Sequence, residues 1–207
     1  MSLPARPGKV LCVGRNYRAH ARELGNEVPA EPLLFLKPSS SIVASGDQIV
    51  LPAVSQRVEY EGEIGVVIGE RLRDATEEEA ARAVHAVVAV NDVTARDLQR
   101  TDGQWTRAKG FDSFCPMGTP SSSVPALDSL TVITRVNGEE RQRGSSADMV
   151  FSIPMLLAYA SRIMTLEPGD VVVTGTPSGV GVLAEGDVVE VEVEGLSAVR
   201  NTVRRAG

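Results

Sequence analysis

The sequence predicts a mixed, β-rich α+β fold built from short strands with a few short helices. Three observations point there. Aromatic residues make up only 4% of the chain, valine and glycine are abundant, and Gly, Pro or Ser clusters recur between short β-branched runs.

Strands are predicted, in chain order, at Lys9 to Val13, Leu33 to Leu36, Gln48 to Leu51, Val58 to Ile68, Ala86 to Asn91, Thr131 to Val136, Glu140 to Gly144, Asp170 to Thr174 and Asp187 to Glu194. Three helices accompany them. The first runs from Tyr17 to Leu24 and stops at Gly25, which accepts the left-handed conformation. Thr76-Glu77-Glu78-Glu79 is a capping box, and Ala80, Ala83, Val84 and Val87 recur at helical spacing, so a second helix is expected from Glu77 to His85 or a little beyond. Ser152 as N-cap, with Pro154 in the first turn, opens a third through Leu156, Leu157, Ala160 and Ile163. Asn137-Gly138 predicts a type I′ hairpin, because both residues tolerate φ > 0. Gly-Asp steps precede β-branched runs at Gly46-Asp47, Gly169-Asp170 and Gly186-Asp187, one turn-into-strand device used three times. No Pro/Ser/Gly-rich linker divides the chain, and a single domain over 1–207 is expected.

Charge and hydropathy exclude several classes. Of 207 residues, 21 are Lys or Arg and 27 Asp or Glu, a net charge of -6 with no basic block, so no nucleic-acid partner is expected. The longest apolar runs, Ile64 to Ile68 and Ala86 to Val90, fall far short of the ~20 residues of a membrane helix, and the first 30 residues hold no signal-peptide core. A soluble, cytoplasmic protein with no membrane partner is the expectation. Cys12 and Cys115 each lie inside an apolar stretch without metal-ligand spacing, which reads as two buried thiols in a reducing compartment.

The chemistry concentrates in a few segments. On one strand, Glu59, Glu61 and Glu63 share a face with Cα atoms about 6.5 to 7 Å apart, next to the apolar run Ile64 to Ile68. Such a row is either a solvated edge or a buried group that raises its pKa values or binds a hard divalent cation. Asp92, at the end of another apolar strand, is either a turn aspartate or the third carboxylate beside Glu61 and Glu63. The chain has only two histidines, which argues against His-rich zinc chemistry. His20 and Glu23, three apart on the first helix, form either a surface pair or an imidazole oriented by a carboxylate for general base work. His85 reads as structural. Lys109 lies in a rigid-looking loop, Ala108 to Pro116, and Thr174 to Gly181 offers hydroxyls and backbone N–H groups to an anion such as a carboxylate. Neither a phosphate loop nor a Gly-x-Gly-x-x-Gly fingerprint is present.

Seven motifs in order make the chain resemble the fumarylacetoacetate hydrolase family, specifically its short acylpyruvase and oxaloacetate decarboxylase type. They are Gly14-Arg15-Asn16-Tyr17 with His20 and Glu23, Phe35-Leu36-Lys37-Pro38, Tyr60-Glu61-Gly62-Glu63, Asn91-Asp92 through Gln99, Lys109 to Pro116, Phe151-Ser152-Ile153-Pro154 and Thr174-Gly175-Thr176-Pro177. The resemblance implies a β-sandwich roll, a homodimer, and Mg²⁺ or Mn²⁺ on residues matching Glu61, Glu63 and Asp92, with Glu59 outside the ligand set. It implies a small 2-oxo acid as substrate, contacted by Arg15, Lys37, Arg96, Gln99 and Thr176. Lys109, His20 and Glu23 match catalytic positions, the latter two on a lid segment at about 14–28. The activities implied are hydrolysis of acylpyruvates or decarboxylation of oxaloacetate, with isomerase or tautomerase chemistry as the rival and a non-catalytic metal-binding scaffold as the reading from another class.

Overall fold

The computed structural model describes residues 6–23, 25 and 27–207. The first part of the chain forms β1 (Val10–Gly14), α1 (Arg18–Glu23), β2 (Leu33–Lys37), β3 (Ile42–Val43), β4 (Gln48–Leu51), β5 (Val58–Tyr60) and β6 (Gly62–Ile68). Then come α2 (Glu77–Arg82), β7 (Val84–Asn91), β8 (Thr94–Ala95), α3 (Arg96–Asp102), α4 (Thr106–Lys109) and β9 (Cys115–Pro116). The last part forms β10 (Thr131–Val136), β11 (Glu139–Ser145), α5 (Ile153–Ile163), β12 (Val171–Val173), β13 (Gly181–Val182), β14 (Val188–Val193) and β15 (Ser197–Arg205). The predicted Leu24 end of the first helix lies outside the described residues.

Two five-stranded sheets, ordered β2-β1-β12-β6-β7 and β11-β10-β14-β15-β4, pack face to face as the sandwich. Between them Ile64, Val66, Val87 and Ala89 of the first meet Val132, Val191, Val193 and Val199 of the second, and Ile153, Leu157 and Ala160 of α5 extend this core. The outer face of the first sheet is buried as well, by Val10, Cys12, Val88, Val90, Cys115 and Met117. Burial on both faces explains why β7 reads as a continuous apolar run, whereas β15 alternates strictly between buried and exposed. A separate three-stranded sheet has the order β13-β5-β8. Among the described residues no helix is long and apolar enough to cross a membrane.

The local turn chemistry holds. Asn137 and Gly138 have φ of 54° and 84° and join β10 to β11. At all three Gly-Asp steps the glycine has φ near 90°, and the aspartate carboxylate accepts the N–H three residues back, from Ala44, Glu167 and Ala184. That geometry reverses the chain and launches the strand.

Two expectations are corrected. The capping box at Thr76 starts α2, but the helix ends at Arg82, and Val84 begins a strand. The spacing of Ala80, Ala83, Val84 and Val87 imitates one continuous helix because a register shift opposite Val67 and Ile68 inserts His85 as an extra residue, so that Val84 and Val87 reach the same core. Val58 to Ile68 is not one strand either. It breaks at Glu61, with β5 in the small sheet and β6 in the first large one. The sequence pattern does not foresee helices α3 and α4 or strands β3, β8, β9, β13 and β15, and Lys109, expected in a loop, ends α4.

Candidate active site

Sheet register brings the acids together. The β6–β7 ladder pairs Gly62 with Asn91, so the next step places Glu61 across from Asp92, whose N–H donates to the Glu61 carbonyl at 2.8 Å. The Asn91 side chain accepts the Glu61 N–H at 3.0 Å and fixes the break between β5 and β6. Each of Glu61, Glu63 and Asp92 offers one carboxylate oxygen, and these oxygens lie within 4.8 Å of one another. All three residues are buried. Glu59, expected on the same face, turns away to pair with Arg57 and Arg96.

Three buried cations face the acids. Lys109 Nζ bridges Glu61 at 2.7 Å and Asp92 at 2.5 Å, and also sits 5.0 Å from the centre of the Phe35 ring. Arg96 donates to Glu59, Glu61 and Gln99. Lys37 donates to the other Asp92 oxygen at 2.6 Å and to the Val93 carbonyl. Four buried carboxylates thus meet three cations, and among the described residues Glu63 is the one without an ion-pair partner. Its contact is the Gly175 N–H at 2.5 Å.

This asymmetry splits the acids. Burial pushes Glu61 upward, but Lys109 and Arg96 outweigh it and hold its carboxyl well below the usual range. Burial, with Asp92 and Glu61 nearby, pushes Glu63 well above that range. Lys109 is held above its ordinary value despite burial, because Asp92 and Glu61 favour its charged form. A dication fits this arrangement on two counts. The three donors are all hard carboxylate oxygens, and among the described residues Glu63 lacks the ion-pair partner that the other buried acids have.

The acids floor a cavity of about 280 Å³. Of the residues singled out from the sequence, Arg15, His20, Glu61, Glu63, Asp92, Arg96, Gln99, Lys109 and Thr176 line it. Two others stand back: Lys37 lies behind Asp92, and Glu23 lies behind His20. Glu23 accepts from or pairs with His20 Nδ1 at 3.1 Å through one oxygen, and its other oxygen accepts the Gly179 N–H at 2.9 Å. Gly179 has φ of 100°, and a Cβ there would meet the Arg141 carbonyl at 2.1 Å, so this loop needs glycine. Arg15, just before α1, holds a left-handed φ of 58°, unusual for a residue with a side chain and in keeping with strain at a functional site. Asn16 secures the turn by hydrogen bonds to the backbone of Phe151 and Thr174. The Thr176 hydroxyl already donates to the Gly62 carbonyl, which leaves it no proton for a ligand.

Side chains not expected at the site from the sequence complete the rim. Phe35 and Trp105 stack edge to face with centroids 5.2 Å apart and form the apolar wall, and Arg100 reaches the opening. The lone tryptophan of the chain was the available signal.

The chain is similar over most of its length to known proteins. The family described as fumarylacetoacetate (FAA) hydrolase, C-terminal, matches residues 9–204. The chain is 44% identical over 203 residues to oxaloacetate tautomerase FAHD1, mitochondrial, of Arabidopsis thaliana, covering 95% of this chain and 91% of that one. Among solved structures it superposes with a TM-score of 0.91 on 5-carboxymethyl-2-hydroxymuconate delta-isomerase from Mycobacterium smegmatis, at 43% identity over 99% of this chain and 82% of that one. Fumarylpyruvate hydrolase from Pseudomonas aeruginosa, solved in complex with Mn²⁺ and pyruvate, gives 0.90 at 33% identity over 98% of each chain.

Proposed function

The chain belongs to the fumarylacetoacetate hydrolase family, and from that premise we propose that it cleaves a carbon–carbon bond in small 2-oxo acids, acylpyruvates or oxaloacetate, with Mg²⁺ or Mn²⁺ at the acidic triad. Bound to Glu61, Glu63 and Asp92, the cation supplies Lewis-acid polarisation of the 2-oxo group. Arg96 and Gln99 receive the substrate carboxylate, with Arg15 at the entrance. Lys109 neutralises negative charge growing on the 2-oxo oxygen, a role suited to an ammonium held in its charged form by buried acids.

The observation that carries the hydrolytic reading is His20, buried on the cavity wall with Nδ1 engaged by Glu23. A proton on Nδ1 leaves Nε2 free as a base. Nε2 takes a proton from water, the resulting hydroxide adds to the 4-oxo carbon, and the bond between carbons 3 and 4 breaks with its electron pair passing toward the 2-oxo group. The proton then returns to carbon 3, giving pyruvate and a carboxylic acid. Phe35 and Trp105 limit access of bulk water to the cavity.

A second reading, isomerisation or tautomerisation of a 2-oxo acid, is favoured by the names of the relatives at 44% and 43% identity. The same base would move a proton on the substrate and leave its carbon count unchanged. Acetylpyruvate, fumarylpyruvate, oxaloacetate and a 2-hydroxydienoate, followed by NMR at fixed Mg²⁺, separate the two. Pyruvate released from acylpyruvates and abolished by EDTA supports cleavage; proton relocation without any pyruvate replaces it with isomerisation.

A further inference from the structure

Glu59 is a buried acid that the proposed reaction does not use. It does not line the cavity, yet it is 2% exposed inside a charged cluster, where a carboxylate is costly unless its charge is paired. One oxygen accepts from Arg57 Nε at 2.6 Å and the other from Arg96 Nε at 2.7 Å. The backbone is fixed beneath this pair: Glu59 lies opposite Thr94 in the β5–β8 ladder, and the Arg96 N–H donates to the Arg57 carbonyl at 2.7 Å.

Arg96 has its Nε on Glu59, Nη1 on Gln99 at 2.6 Å and Nη2 on Glu61. A guanidinium carries five N–H groups, so two remain, one on each terminal nitrogen. Without the Nε anchor, the preferred geometry of an arginine beside a carboxylate is a two-pronged fork. Arg96 would then swing its freed Nε onto Glu61 beside Nη2, a collapse that turns its two unused N–H groups away from their present direction in the cavity. We propose that Glu59 is a positioning residue acting through Arg96, preventing that collapse and keeping the guanidinium presented to the anionic end of the ligand. The inference rests on the reading of Arg96 as a substrate contact.

The test is a double-mutant cycle on Glu59→Ala and Arg96→Ala, with Glu59→Gln as the variant of unchanged size. Calorimetry measures pyruvate affinity at saturating Mn²⁺, and kinetics give KM and kcat for whichever 2-oxo acid is turned over. Glu59→Ala weakens pyruvate binding and raises KM by roughly 10- to 100-fold, as loss of an outer partner of a site does, with a smaller effect on kcat. Glu59→Gln, which still accepts one hydrogen bond, loses less. In the Arg96→Ala background, removing Glu59 adds under about twofold, because the residue it positions is gone. Unchanged pyruvate affinity in folded Glu59→Ala or Glu59→Gln overturns the proposal, as do losses that multiply in the double variant. Should Glu59→Ala fail to fold, Glu59→Gln carries the same cycle. Coupled pyruvate binding without turnover of any 2-oxo acid removes the proposed reaction and leaves the role of Glu59 standing, whereas a wild-type chain that does not bind pyruvate overturns both.

Discussion

The carboxylate of Glu23 joins α1 to the loop at Gly179, accepting its N–H at 2.9 Å across 156 residues of sequence. The same carboxylate holds His20 Nδ1. One side chain therefore both ties α1 to that loop and engages the imidazole, so under the proposed reaction substitutions in the pair act as a unit. His20→Ala lowers acylpyruvate turnover by roughly 10²-fold or more, the scale of a lost general base. Glu23→Ala costs roughly 10- to 100-fold, and the double variant is little worse than His20→Ala. Steady-state kinetics at fixed Mg²⁺ check this; full additivity would separate the two residues.

A divalent cation at the triad, as proposed, would bind with an affinity that depends on pH. Glu63 must lose its proton to hold a cation, and burial with two neighbouring acids keeps that proton on above the usual glutamate range. Mn²⁺ affinity therefore rises with pH through the raised Glu63 value, and binding releases protons. Calorimetry in buffers of differing ionisation heat reads both. Glu61→Ala abolishes Mg²⁺ binding at any pH.

Stability of the metal-free chain follows the same signs. A raised Glu63 contributes stability that is complete below its unfolded value and is lost as pH rises through its folded one. A depressed Glu61 contributes stability present above its unfolded value and lost as pH falls through its folded one. At pH 8 with EDTA, Glu63→Gln thus raises Tm and Glu61→Gln lowers it, each by roughly a few degrees. Shifts of the same sign in thermal melts would refute the division.

Cys12 and Cys115 are both fully buried, and burial pushes the Cys115 thiol up to about 12. Since the thiolate is the reactive form, neither reacts with a thiol reagent at pH 8 in the native protein. Two thiols per chain appear only in denaturant, counted by absorbance.

The type I′ turn sets the β10–β11 register, with Gly138 at φ 84°. Gly138→Ala should cost about 1–2 kcal/mol, the penalty of a side chain in the left-handed region, measured by urea unfolding with unchanged pyruvate affinity.

Where a local rule governs, sequence alone determined the structure: the capping box at Thr76, the Asn137-Gly138 hairpin and the three Gly-Asp turns depend on side chains bonding to their own neighbouring backbone. Ordered motifs also pointed to Glu61, Glu63, Asp92, His20 and Lys109. Tertiary structure decided what needs a partner far along the chain. The end of the helix predicted through His85 is instead the start of β7, paired with β6, and a register shift at Val84 to Val87 imitated helical spacing. Strand β15 went unread because Ser197 and Asn201 occupy its inward positions, where only the fold supplies their hydrogen bonds to Ala89, Thr119, Ala44 and Asp47. The turn of Glu59 toward Arg96, and of Lys37 onto Asp92, followed from pairing charges that burial would otherwise leave unmatched.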